Sequence, residues 1–177
     1  MASLSEFFSD PASAGTWTLD PGRSTIVVKA KSMWGLVPVK GRFTEFAGEG
    51  QLAAPQTVSG RVDIKAASLR TGIRKRDEHL HSADFFEAEK FPDISILISS
   101  ADVVGGEAVD LRAQLTIKDT TKPLTLRTTV APVGDGAMRL TTQSTLNRQD
   151  FGVDGNLLGM IGDSATISGD LVFRRAG

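Results

Sequence analysis

The stretch VDLRAQLTI, from Val109 to Ile117, alternates apolar and polar side chains without interruption. Every second residue is apolar, so the segment has one apolar face and one polar face. A period of two is typical of a β-strand, because successive strand side chains point to opposite faces of a sheet. The stretch therefore predicts an antiparallel strand that is buried on one side.

The same period recurs along the chain from Thr16 onward, in segments separated by short turns rich in glycine, proline and aspartate. The clearest of these segments are RVDIKA at 61–66, DISILIS at 93–99, MRLTTQSTL at 138–146 and ATISGDLVF at 165–173. Helical patterns are too scarce for the crossovers of a parallel sheet. We predict an all-β fold, a single antiparallel up-and-down β-barrel of about eight strands. It should be closed, because open strand edges invite aggregation.

Length and composition fit one self-sufficient domain. A chain of 177 residues can bury a sizeable core, and without cysteine it has neither disulfides nor thiolate chemistry. A net charge of -1 gives no basic excess that would favour nucleic acid. We predict an N-terminal arm over residues 1–15, loose or folded as a short helix, and a barrel domain over 16–177.

The N-terminal segment lacks the basic region of a secretory signal, and Glu6 and Asp10 interrupt its short apolar run. The chain also contains no run of 18 apolar residues, the length that a membrane-spanning helix requires. These features favour a cytoplasmic protein without a membrane span.

One connection breaks the strand period. The segment RDEHLHSADFFEAEKFP at 76–92 contains both histidines, with charges and apolar residues at loose helical spacing. Thr71 and Ser82 are possible helix caps. Long ordered connections in compact domains are usually functional or cover an opening. We predict a short helical insert near residues 71–91 that covers one end of the barrel.

His79 and His81 lie two residues apart among several carboxylates. A structural role, contact with a ligand's polar head, and metal binding or catalysis are all open for them. No third ligand stands at a recognised spacing, and no nucleophile elbow is present, so we favour the structural role. We predict no catalytic residue and no metal.

Two charged pairs are candidates for fixing loops. Arg76 and Asp77 are adjacent in the insert, and Arg148 and Asp150 stand at the start of the glycine-rich stretch that follows a predicted strand. An ion pair or a bond from a side chain to the backbone would hold each loop in place.

The quoted insert is the most specific of several motifs that occur in a recognisable order. The others are WTLDPGRSTIVV at 17–28, VKGRFTEFAGE at 39–49, LTIKDTTKPLTL at 115–126 and LNRQDFGV at 146–153. Together they resemble the YceI-like family of lipid-binding proteins with a lipocalin-like barrel. The resemblance implies an elongated barrel that holds a long polyisoprenoid or similar amphiphile. It implies no enzymatic activity, no cofactor other than a bound lipid, and a possible homodimer.

The candidate ligand-binding residues are the apolar residues of the insert, the strand faces and the apolar turns, together with one histidine. They are Met33, Trp34, Phe43, Phe46, His79, Leu80, Phe85, Phe86, Phe91, Ile96, Leu111, Ala113, Leu115, Phe151, Leu157, Leu158 and Met160. Period alone leaves open which strand face points inward. Two rival functions also remain: a structural or interaction barrel with a filled core, and an enzyme that uses His79 or His81.

Overall fold

The computed structural model describes residues 4–30, 39–53, 57–83, 85–134, 136–153 and 164–176. Its helices are α1 (Leu4–Ser9) and α2 (Arg74–His81). Its strands are β1 (Gly15–Leu19), β2 (Thr25–Ala30), β3 (Val39–Phe43), β4 (Phe46–Ala53), β5 (Thr57–Lys65), β6 (Leu69–Arg70), β7 (Asp93–Gly105), β8 (Ala108–Ile117), β9 (Thr120–Pro132), β10 (Ala137–Asn147) and β11 (Ser164–Arg175). Neither described helix has the length and apolar character needed to cross a membrane.

The strands form one antiparallel sheet that closes on itself. Its order is β1-β4-β5-β7-β8-β9-β10-β11, and β11 pairs back onto β1. The short strands β2, β3 and β6 continue the sheet from the other half of β11. In the barrel wall, β1 with β2 acts as one bent strand, and β3 with β4 acts as another. The predicted closed eight-stranded up-and-down barrel is confirmed.

The bend between β1 and β2 is a 3₁₀ turn at Pro21–Arg23. Its Asp-Pro-Gly sequence favours the turn, because the Asp20 carboxylate accepts a hydrogen bond from Gly22 N at 3.1 Å. On either side of the turn the chain bonds to the same residue of β11. Asp20 N donates to Val172 O at 2.8 Å, and Val172 N donates to Ser24 Oγ at 2.9 Å. The pairing of β11 with β1 and β2 closes the barrel, and we call it the seam. The seam is therefore continuous across the bend.

The junction between β3 and β4 is held in a similar way by Ser68, which is almost fully buried. Thr44 N donates to Ser68 O at 3.2 Å, and Lys65 N donates to Glu45 O at 3.0 Å. Ser68 Oγ donates to Lys65 O at 2.7 Å. These bonds keep the wall intact where the ladder is interrupted.

The alternation of β8 settles which strand face is inside. Its apolar residues Val109, Leu111, Ala113, Leu115 and Ile117 are all buried, with exposures between 0% and 6%. Two groups of buried side chains fill the two halves of the barrel, and Ile96 and Leu124 pack against both. The core therefore runs along the barrel axis.

Helix α1 closes one end of the barrel, called here the α1 end. Leu4 and Phe8 are buried in the core group of that end. The Phe7 ring lies edge-on to Trp17, with centroids 5.7 Å apart. Trp17 Nε1 donates to Ser13 O at 2.9 Å, so its buried polar atom is satisfied. The N-terminal segment thus supplies part of the core.

The insert covers the opposite end, called here the insert end. Helix α2 is followed by tight turns in which Phe85 N and Glu87 N donate to Ser82 O. Leu80 and Phe85 are buried in the core group of this end, and Phe86 packs against it. Thr71 is not the helix cap: α2 begins after Ile73, which makes no side-chain cap.

Thr71 instead pins the insert to the barrel. Asp77 Oδ1 accepts hydrogen bonds from Thr71 N at 2.8 Å and from Thr71 Oγ1 at 2.5 Å. Arg76 donates from Nε to Thr71 Oγ1 at 2.8 Å and from Nη2 to Thr71 O at 3.0 Å. Arg76 and Asp77 therefore act through a shared partner that directly follows β6.

Replacing Asp77 by alanine should loosen the insert, because it leaves the Thr71 N–H and hydroxyl without their buried acceptor. We expect the free energy of unfolding to fall by about 1–3 kcal/mol. Amide hydrogen exchange across residues 74–88 should accelerate while exchange in β8 stays slow. The control is Glu78→Ala on the same helix, which removes only an exposed pair with Arg74 and should change stability by less than about 1 kcal/mol. Equal effects of the two variants would contradict the pin.

Candidate functional site

The described residues line at least three interior cavities with apolar walls. One of about 100 Å³ lies at the α1 end. Two others, of about 50 Å³ and about 70 Å³, lie at the insert end. The first lies in the opposite half of the barrel from the other two, which share Val28, Phe86 and Arg148 in their walls. The described interior therefore contains apolar spaces in both halves, separated by side chains of the core.

The two cavities at the insert end bring together seven of the twelve predicted ligand-binding residues that the structure describes. The cavity of about 50 Å³ is lined by Phe43, Phe86, Ile96, Leu115 and Phe151, among others. The cavity of about 70 Å³ is lined by Leu80, Phe85 and Phe86. Phe43 and Phe86 meet edge-on with centroids 6.4 Å apart. The aromatics that precede Glu87 thus point inward, as the period break and the apolar content of the insert predict.

The cavity at the α1 end contains only one predicted residue, Leu111. Its other walls include Phe7, Phe8, Trp17, Met138, Leu140 and Phe173. Sequence reasoning missed this half of the interior because it treated the N-terminal segment as an arm. The pair Phe7–Phe8 could have indicated it, because two adjacent phenylalanines are unusual in a loose terminus and favour burial.

Several predicted residues fall elsewhere. Ala113 is buried in the core of the α1 end, and Phe46 is partly buried beside the core of the insert end. Phe91 belongs to neither core group; it is half-buried, with Lys90 Nζ 5.3 Å from its ring centroid. Five predicted residues lie outside the described part of the chain: Met33, Trp34, Leu157, Leu158 and Met160.

Both histidines lie on α2, where His79 contacts a side chain of the insert and His81 contacts the backbone of β6. The His79 ring lies edge-on to Phe85, with centroids 5.2 Å apart. His81 Nε2 lies 3.0 Å from Leu69 O, within hydrogen-bonding distance. Within the described ranges, no cluster of three or more histidine and carboxylate side chains could hold a metal ion. The visible contacts of both rings are those of side chains that pack and fix a loop.

Arg148 is a buried cation at the insert end. It is 9% exposed, and its Nη1 donates to Val153 O at 2.7 Å. Its guanidinium carbon lies 5.8 Å from the Phe85 ring centroid, and the side chain lines both cavities of that end. Asp150, its predicted partner, is exposed. Arg148 thus fixes its own turn through a backbone carbonyl and places the one charged group that faces the described cavities of this end.

The interior wall also carries hydroxyl groups. Thr128 on β9 is 1% exposed and donates to Leu126 O at 3.1 Å. On β10, Thr142 and Ser144 share the strand face of buried Met138. Because strand side chains alternate, both hydroxyls are on the inner side of the wall. They form a short polar stretch between the two apolar halves.

Charged pairs lie on the outer face of the barrel. A hydrogen bond from Arg61 lowers the pKa of Asp63, helped by a second bond from Ser95. A hydrogen bond from Arg139 likewise lowers the pKa of Asp170 across β10 and β11. Since the pKa of both carboxylates is lowered, they stay ionised in more acidic solution than usual, and these ion pairs on the outer face persist well below neutral pH.

This arrangement can accommodate an apolar chain only if side chains move. Each cavity is smaller than the roughly 300–1,000 Å³ of typical ligand sites. A long ligand would have to join the three cavities by displacing the side chains between them.

Comparison with known proteins places this geometry among related barrels. The UPF0312 protein of Pseudomonas putida is 33% identical over 124 residues, which cover 66% of this chain. This chain spans only 65% of the length of that relative. Burkholderia cenocepacia BcnA, at 23% identity, superimposes with a TM-score of 0.79 over 87% of this chain and 98% of its own.

A polyisoprenoid-binding domain from Saccharophagus degradans has a similar fold, with a TM-score of 0.78 at 16% identity. The superposition covers 90% of this chain and 98% of that domain. At such identities the likeness concerns the fold. A family model described as the YceI-like domain matches residues 17–173, nearly the whole described barrel. The chain therefore belongs to the YceI-like family.

Proposed function

We propose that this protein binds and carries a long apolar ligand, a polyisoprenoid or similar amphiphilic lipid, inside its barrel and without catalysing a reaction. The observation that carries the proposal is an apolar interior that is covered at both ends and still contains cavities in both halves of the barrel. The family and the polyisoprenoid-binding domain of similar fold support it.

The energetics of such binding need no catalytic group. At about 0.3 kcal/mol per heavy atom, a tail of about forty carbons would gain on the order of 12 kcal/mol. Moving the side chains that now separate the cavities costs part of this binding free energy. The ligand should therefore be slender and flexible. The predicted homodimer and the predicted cytoplasmic location remain predictions.

A rival function is favoured by one specific observation, the small size of the cavities. A barrel whose interior is filled by its own side chains would serve as a structural or interaction module. The two functions differ in whether purified protein contains a lipid and in how the interior responds to added bulk.

Organic extraction of the purified protein, followed by mass spectrometry, tests the proposal directly. We expect a long-chain isoprenoid or related lipid in an amount comparable to that of the protein. An extract without lipid, together with no uptake of added polyprenols, would contradict the carrier function and favour the filled barrel.

Added bulk in the cavities should displace the ligand without unfolding the protein. Ala165 lines both cavities of the insert end, so Ala165→Phe should fill them and reduce the lipid recovered by extraction. The matched control is Ala113→Phe, at a closely packed core position. It should instead cost about 1–3 kcal/mol of stability by overpacking. An equal loss of thermal stability in both variants, with no lipid in the parent protein, would indicate a filled core.

The two histidines should be dispensable for carriage. The double variant His79→Gln, His81→Gln keeps polar groups beneath the insert and should retain as much extracted lipid as the parent protein. The extracted species should also have the same mass. Loss of a chemical conversion that the parent performs on an added isoprenoid would instead support an enzyme.

A further inference from the structure

The ladder between β9 and β10 covers only part of the two strands. Pairing runs from Met138↔Pro132 to Thr142↔Thr128 and stops there. Below this point β9 continues to pair with β8, and β10 continues to pair with β11 along its whole length. The two hairpins therefore separate, although both strands are described throughout this stretch.

The separation has defined limits, and we call it the β9–β10 window. At its upper limit Thr142 Oγ1 donates to Arg127 O at 3.1 Å, one step beyond the last ladder pair. At its lower limit Lys118 Nζ donates to Gly152 O at 3.0 Å and joins the β8–β9 turn to the turn after β10. The part of β10 that has no partner on β9 is the five residues from Gln143 to Asn147, or ~16 Å at the usual strand rise.

Side chains, and not backbone hydrogen bonds, fill the window. Leu124 on β9 and Leu146 on β10 are both partly buried and pack against the core. Leu146 also lines the cavity of about 50 Å³ behind it. On the outside, a depression of about 390 Å³ along β2, β10 and β11 extends to Gln143, at the edge of the window. Within the window, the side chains of Leu124 and Leu146 therefore take the place of a backbone ladder between β9 and β10.

The two ends of the barrel are closed more firmly. Phe8 and Trp17 are buried at the α1 end. At the insert end Phe85 is 1% exposed, and the Thr71–Asp77 bonds hold the cover in place. Moving leucine rotamers in the window breaks no ladder bond, whereas opening either end removes aromatic side chains from the core.

We propose that the β9–β10 window is the lateral gate through which the ligand's chain enters and leaves the barrel. This inference depends on the proposed carrier function and adds a route to it. The edges of the window suit this role. Lys122 and Pro123 on β9 oppose pairing with another strand, so the opening does not become an aggregation site.

The absence of cysteine in the sequence allows a clean test. The double variant Thr125→Cys, Thr145→Cys places two exposed thiols across the window, and a short bis-maleimide then bridges them. The matched control, Thr129→Cys, Thr141→Cys, bridges two strands at a pair that the ladder already joins. Each variant before bridging is its own reference. The probe is parinaric acid, a linear polyene whose fluorescence rises in apolar surroundings, followed by stopped flow.

Bridging the window should slow both uptake and release of parinaric acid by about tenfold or more, as expected when a gate limits exchange. Equilibrium affinity should change little, and bridging the control pair should leave both rates nearly unchanged. Unaltered rates after bridging the window would overturn the gate while leaving the carrier function intact. The gate would also be overturned if Phe8→Ser made exchange faster while bridging the window had no effect. The route of the ligand would then lie at the α1 end. A parent protein that binds neither parinaric acid nor polyprenols would refute the carrier function, and the gate with it.

Discussion

The architecture depends on the seam at which the last described strand meets the first two. Val172 of β11 accepts from Asp20 N and donates to Ser24 Oγ, one bond on each side of the bend between β1 and β2. The β1–β11 ladder ends at Leu19↔Phe173 and the β2–β11 ladder begins at Thr25↔Asp170, so these two bonds satisfy the backbone of β11 where the bend interrupts the pairing. Unpaired backbone groups at such an interruption are costly when buried and adhesive when exposed.

Closure at this seam decides the character of the interior. A closed barrel has one inner face, and every strand directs alternate residues toward it. The covers at the two ends then exclude water, since aromatic side chains of α1 and of the insert occupy the openings. Apolar space that is enclosed in this way can hold a lipid tail or remain packed. The difference lies in how readily a few side chains yield.

Much of the fold followed from local patterns. The alternation in β8, the turn residues and the break at 71–91 predicted the barrel and its cover, because each depends on near neighbours in the chain. The cavity at the α1 end was not predictable in this way. Phe7 and Phe8 meet Trp17, Met138 and Phe173 only after closure, and no local period records such a contact. The short ladder between β9 and β10 was not predictable either. It depends on how two hairpins diverge in space, and both hairpins have ordinary strand sequences.

The seam also constrains how the chain acquires its structure. Ser24 and Val172 are separated by 148 residues, so the bond between them closes a very long loop. During synthesis β1 and β2 leave the ribosome early and have no partner on that side until β11 follows. The meander of β7 to β10 can form beforehand from neighbouring hairpins. Closure of the barrel requires β11, so the entropy cost of closing the long loop comes last. A nascent chain of this fold therefore exposes apolar strand faces until β11 has been synthesised, and in this interval a chaperone would be of most use.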